Sequence, residues 1–158
     1  MKPTPKGWPR MSSAVFYEAP KDAIEFLSKA FDFEVQLVVE GDAGDVVHSE
    51  LRYGDGMVMV GGARSRSESG DPWRRLCASP TSVGGKNTQQ LCFFVDDADA
   101  HCARARANGA RIVREPATED YGDDFWADRT YGALDPEGHL WFFMQRVRSP
   151  GEPRKDAP

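Results

Sequence analysis

His48, Glu50 and Arg52 stand at alternate positions of the segment VVHSELRY, residues 46–53. In an extended strand, alternate side chains share one face and lie about 6–7 Å apart. An imidazole or a carboxylate in such a row can act as acid or base, and the whole row can anchor a polar ligand. His48 and Glu50 are therefore the candidate catalytic residues. A solvated strand face with a charge pair would look the same in sequence. A metal held by His48 and Glu50 would need a third donor, and none is evident. A second group, Trp126, Arg129 and Tyr131, lies in WADRTYG. Two rings and a guanidinium suit stacking on a flat or cationic ligand; the alternative is packing against Trp141 and Phe143.

Other reactive side chains read as structural. Cys77, Cys92 and Cys102 are an odd set without CxxC spacing. They fit reduced thiols of the cytoplasm, with Cys92 and Cys102 as small buried hydrophobes. His101 falls in mid-helix and is expected to be partly exposed; His139 follows a turn. There is no GxSxG, no P-loop and no GxGxxG before a helix. Gly84-Gly85-Lys86-Asn87 is too short to cradle a phosphate.

The elements that must hold these residues alternate in period. Residues 12–18 read as a strand and 20–31 as a helix, with Pro20 in its first turn. Ala23, Ile24, Leu27, Ala30 and Phe31 form the apolar stripe of that helix. Residues 33–40, 46–53 and 57–61 read as strands, with the turn Gly54-Asp55-Gly56 between the last two. The order then repeats. Residues 89–95 read as a strand, and Asp97 caps a helix from Ala98 to Asn108 that Gly109 ends. Residues 110–115, 125–134 and 139–147 read as strands, with ATEDYGDD as a loop and DPEG as a turn. This divides the chain into an extended arm (1–10), a first βαβββ module (11–61), a linker or lid (62–87), a second βαβββ module (88–147) and a loose tail (148–158). Trp73, in the linker, is expected to dock on the body or on a partner chain.

The chain has 158 residues, 25 acidic against 20 basic, and a net charge of −5. That is one domain or two small modules. With no basic face, nucleic acid is not an expected partner. No apolar run approaches the roughly 20 residues of a membrane span, and the N-terminus MKPTPKGWPR has no apolar core of a signal peptide. A cytoplasmic location follows as the expectation.

VFYEAPKDAIEFLSKAFDFEV, VDDADAHCARARANGARIV and YGALDPEGHLWFF, in that order, resemble the vicinal-oxygen-chelate superfamily of glyoxalase I, extradiol dioxygenases, fosfomycin-resistance enzymes and bleomycin-resistance proteins. The resemblance implies an α+β fold of two tandem βαβββ modules whose curved mixed sheets form a cleft, with helices outside. It places His48, Glu50 and Arg52 toward the cavity, and makes Phe16, Phe94, Phe142 and Met144 its apolar lining. Metal-using members draw ligands from the first and last strand of each module. Those positions fall here on Ser12, Val60 (or Met59), Gln90 and Phe142, of which only Gln90 is a conceivable donor. No metal and no cofactor are therefore expected. The ligand-binding set is Ser12, Phe16, His48, Glu50, Arg52, Gln90, Phe94, Trp126, Arg129, Tyr131, Phe142 and Met144. The resemblance implies a homodimer and a metal-free protein that binds a hydrophobic or aromatic small molecule, cations included. The alternative is a lyase or isomerase with an altered site using Glu50 or His48.

Overall fold

The computed structural model describes residues 1–42, 44–63 and 72–154, apart from the side chain of Arg74. Residues 64–71 of the expected linker and 155–158 of the expected tail lie outside the described residues. The chain divides into two compact units, Met1–Lys86 and Asn87–Pro158.

The first unit runs β1 (Ser13–Tyr17), α1 (Pro20–Phe31), β2 (Glu34–Glu40), β3 (Val46–Tyr53) and β4 (Gly56–Gly62). Its sheet has the order β1-β4-β3-β2. β1 lies parallel to β4, and the other pairs are antiparallel. α1 begins at Pro20 and buries Ala23, Ile24, Leu27, Ala30 and Phe31, the stripe that the spacing predicts. It stops at Asp32, which turns left-handed at φ 63°, a conformation that short polar side chains tolerate. Leu27, Phe31, Leu51, Val58 and Val60 form the core; each such burial stabilises by about 1.5–3 kcal/mol. Ser49 is buried among them, and its hydroxyl donates to the Val60 carbonyl and accepts from the Val60 amide, both at 2.8 Å. That exchange offsets the cost of an interior hydroxyl. Short 3-10 turns at Pro72–Leu76 and Pro80–Val83 close the unit; Trp73, on the first, keeps half of its surface exposed.

The second unit repeats the order: β5 (Leu91–Phe94), α2 (Ala98–Ala107), β6 (Arg111–Asp120), β7 (Ala127–Leu134) and β8 (Leu140–Arg148). The sheet order is β5-β8-β7-β6, again with one parallel pair, β5 and β8. Asp97 caps α2 through Oδ1, which accepts from the Ala100 amide at 2.9 Å. Trp141, Tyr131 and Phe143 are wholly buried. The turn before β8 is organised by Asp135: Oδ1 accepts from the amides of Glu137 and His139, and Oδ2 from Trp141 Nε1. Asn87 ties the start of the unit to the same turn, donating to the Gly138 carbonyl and accepting from the Leu140 amide. The fold is thus α+β, two tandem βαβββ modules with mixed four-stranded sheets, as the element order implies.

Several local expectations are corrected. β6 continues to Asp120, through ATED, because edge pairing with β7 and not an apolar pattern keeps it extended. His101 is buried rather than partly exposed, and Cys92 is exposed rather than buried. Arg148 belongs to β8 and not to a loose tail. It is buried, and donates to Asp120 Oδ1 and to the carbonyls of Gly122 and Phe125.

Candidate functional site

Each helix covers one face of its own sheet and leaves the other face open. In the first unit α1 covers the face of Ser49, Leu51, Val58 and Val60. Strand alternation puts His48, Glu50 and Arg52 on the open face, with Phe16 and Met59. There Glu50 lies opposite Leu37, and His48 opposite Val39. His48 Nε2 and Glu50 Oε1 are 3.0 Å apart, the imidazole more exposed than the carboxylate. A carboxylate at that distance orients the ring, and an imidazole beside a carboxylate is a residue pair that acid–base chemistry can use. Arg52 does not join them: its Nη2 donates to the Gly7 carbonyl and so anchors the N-terminal arm. Ser12, just before β1, is half-buried.

The open face of the second unit carries Cys92, Phe94, Phe142, Met144 and Arg146. Phe142 lies against Gly132, where an added Cβ would come within 3.2 Å of the ring; glycine makes room for it. Phe94 is 55% exposed. Arg146 reaches across to Trp126, its guanidinium 5.2 Å from that ring centroid and 5.4 Å from that of Phe94. Its Nε donates to Asp128 Oδ1 at 2.5 Å. Tyr121 and Phe125 pack on Trp126 and extend the aromatic surface. Glu119 accepts from the Tyr121 hydroxyl and from Arg114. Those bonds hold the Glu119 carboxyl below its ordinary range and push the Tyr121 phenol up. Gln90 is exposed, with its amide 3.8 Å from Cys92 Sγ.

Arg129 and Tyr131 correct the expected ligand set. Both lie on the face that α2 covers, because β7 residues 129 and 131 pair with Gln145 and Phe143 of that face. Tyr131 is wholly buried, stacked on Phe143 and hydrogen-bonded through its hydroxyl to His101 Nδ1 at 2.5 Å. Arg129 grips Asp99 of α2 with two hydrogen bonds, at 2.6 and 2.7 Å. This bond holds the Asp99 carboxyl below its ordinary range. Both residues bind the helix to the sheet. The sequence reading missed Arg146, Asp128, Tyr121 and Phe125. The signal for Arg146 was present, since it follows Phe142 and Met144 at the same alternation.

The superfamily's metal positions hold no metal-binding set. Val60 is buried under α1, so Met59 takes the open-face position of β4. The residues are then a hydroxyl, a thioether, an amide and a phenyl ring, Ser12, Met59, Gln90 and Phe142. That set does not fit a divalent cation. Among the described residues no three His, Cys, Asp or Glu side chains converge.

Residues 12–143 match the Glyoxalase/Bleomycin resistance protein/Dioxygenase superfamily, and the chain belongs to it. An uncharacterized protein of Mycobacterium bovis is 33% identical over 144 residues, spanning 89% of this chain and 85% of the relative. The crystal structure of TioX from Micromonospora sp. ML1 is 30% identical, with a TM-score of 0.64 over 88% of this chain and all of that one. A glyoxalase/bleomycin resistance protein/dioxygenase family enzyme from Burkholderia phytofirmans PsJN shares the fold at 17% identity, with a TM-score of 0.61 over 86% of this chain and 98% of that one. Among the described residues no helix is long and apolar enough to cross a membrane.

Proposed function

We propose that the protein binds a small hydrophobic or aromatic molecule on the open faces of its sheets, without a resident metal. The observation that carries this reading is the aromatic surface of the second unit, where Phe94, Trp126, Tyr121 and Phe125 keep 36–55% of their area exposed. Solvated rings grouped this way cost free energy unless something covers them. Superfamily membership supports the reading, as does the donor-poor set Ser12, Met59, Gln90 and Phe142. Titration with 2-naphthol, followed by ring-proton shifts in NMR, tests it. Phe94→Ala and Phe142→Ala are expected to weaken binding by about tenfold each, the loss of a buried ring contact. Unchanged affinity in both variants would sink the reading. Elemental analysis is expected to find no stoichiometric metal, and Ni, Zn, Mn and Fe(II) are expected to leave the melting temperature unchanged.

One observation favours a second reading, a lyase or isomerase. The His48–Glu50 pair is poised for proton transfer, and the apolar Leu37 and Val39 lie opposite it. A cytoplasmic homodimer completes the proposal. Its support is β2, a sheet-edge strand whose Val35, Leu37, Val38 and Val39 are all exposed, together with three free cysteines.

A further inference from the structure

Phe94, Trp126 and Asp128 surround a single side chain, the guanidinium of Arg146. Its distances of 5.4 and 5.2 Å to the two ring centroids fall within the roughly 6 Å over which a ring face holds a cation. The carboxylate supplies the third contact, at 2.5 Å. The parts of this arrangement differ in freedom. The Asp128 side chain is 8% exposed and fixed in β7; that of Arg146 is 37% exposed, on a long flexible stem. A buried carboxylate requires a cation beside it, and the exposed member of the pair is the one that can be exchanged.

The geometry points to a slot for an organic cation, with walls of Phe94 and Trp126 and a floor of Asp128, which Arg146 fills in the free protein. A flat cationic group, such as an amidinium, a guanidinium or a charged heteroaromatic ring, replaces it. The inference rests on the reading that this open face is the ligand surface, and narrows the ligand to a cation. A neutral or anionic ring entering the slot would strand the Asp128 charge, so the site selects against it.

The probes are 4-aminobenzamidine, a flat cation, and 4-aminobenzamide, its neutral counterpart of the same shape. The wild-type protein is expected to bind the cation about tenfold more tightly, the fold-change of one charge-assisted hydrogen bond to the Asp128 carboxylate. Arg146→Met keeps the stem and removes the competing guanidinium, and is expected to raise affinity for the cation about tenfold again. The double variant Arg146→Met/Asp128→Asn carries no stranded charge, which guards against misfolding of the single variant. It is expected to bind both probes equally. Equal affinities in the wild type, or weaker binding of the cation by Arg146→Met, overturn the slot. If 4-aminobenzamide and 2-naphthol bind and the cation has no advantage, the slot alone falls. If no probe binds, the aromatic-ligand reading falls with it.

Discussion

Tyr131 and His101 meet beneath α2, hydroxyl to Nδ1 at 2.5 Å, with the His101 ring also 4.4 Å from Phe143. The contact fastens the helix to the sheet on the face opposite the aromatic surface. Tyr131→Phe keeps the stacked ring and deletes one hydrogen bond of a buried histidine. The expected cost is about 1–2 kcal/mol in urea denaturation, with affinity for 2-naphthol unaltered. A loss of affinity without loss of stability would return Tyr131 to the ligand set.

The Asp99–Arg129 grip makes part of the stability pH-dependent. The Arg129 hydrogen bonds lower the Asp99 carboxyl below its ordinary 3.8. A carboxyl depressed by folding contributes stability above its unfolded value, and that contribution is lost as pH falls through the folded one. Melting temperatures between about pH 4 and pH 2 should therefore fall more steeply for wild type than for Asp99→Asn. Parallel curves would mean that the pair contributes nothing in solution.

Glu50→Gln separates the two functional readings. If the protein only binds, the variant retains a ligand that stacks on the second unit, and no substrate is turned over by either form. If the His48–Glu50 pair does chemistry, turnover drops by about 10²–10⁴-fold while binding persists. Product analysis on wild type and variant, side by side, decides.

Gly132→Val would drive methyl groups into the Phe142 ring, which already lies within 3.2 Å of an ideal Cβ. The overpacking should cost about 1–3 kcal/mol and displace Phe142 from the open face. Calorimetry should show lower melting, and NMR a reduced affinity for 2-naphthol. Unchanged binding would remove Phe142 from the proposed surface.

Sedimentation equilibrium should report a dimer, and Val38→Lys should raise the monomer fraction by placing a charge on exposed β2. A wild-type monomer at all concentrations would contradict the homodimer.

Periodicity made the order of elements legible. The α1 stripe and the strand alternation are statements about which face is dry, and the structure keeps them over residues 23–31 and 48–52. At the start of β3 it does not, since Val46 is buried and Val47 is 48% exposed beside a register shift in β2. Where dryness left no pattern, the reading stopped short. α2 is mostly alanine and arginine, so nothing in its spacing marked His101 as buried. The ATED end of β6 is polar on both faces and held by pairing alone. Trp126, Arg129 and Tyr131 were grouped by proximity in sequence. Two of the three point under the helix, since strand parity outranks nearness.

In each sheet the strand made last lies inside: β4 between β1 and β3, and β8 between β5 and β7. A nascent second unit can therefore pair β6 with β7 but cannot add β5 to the sheet until residues 140–148 leave the ribosome. β5 must wait for a partner about 50 residues downstream, a loop closure that slows folding. A chain truncated before β8 would lack the strand that joins β5 to β7. Synthesis of the final strand is thus what allows the sheet of this half to be completed.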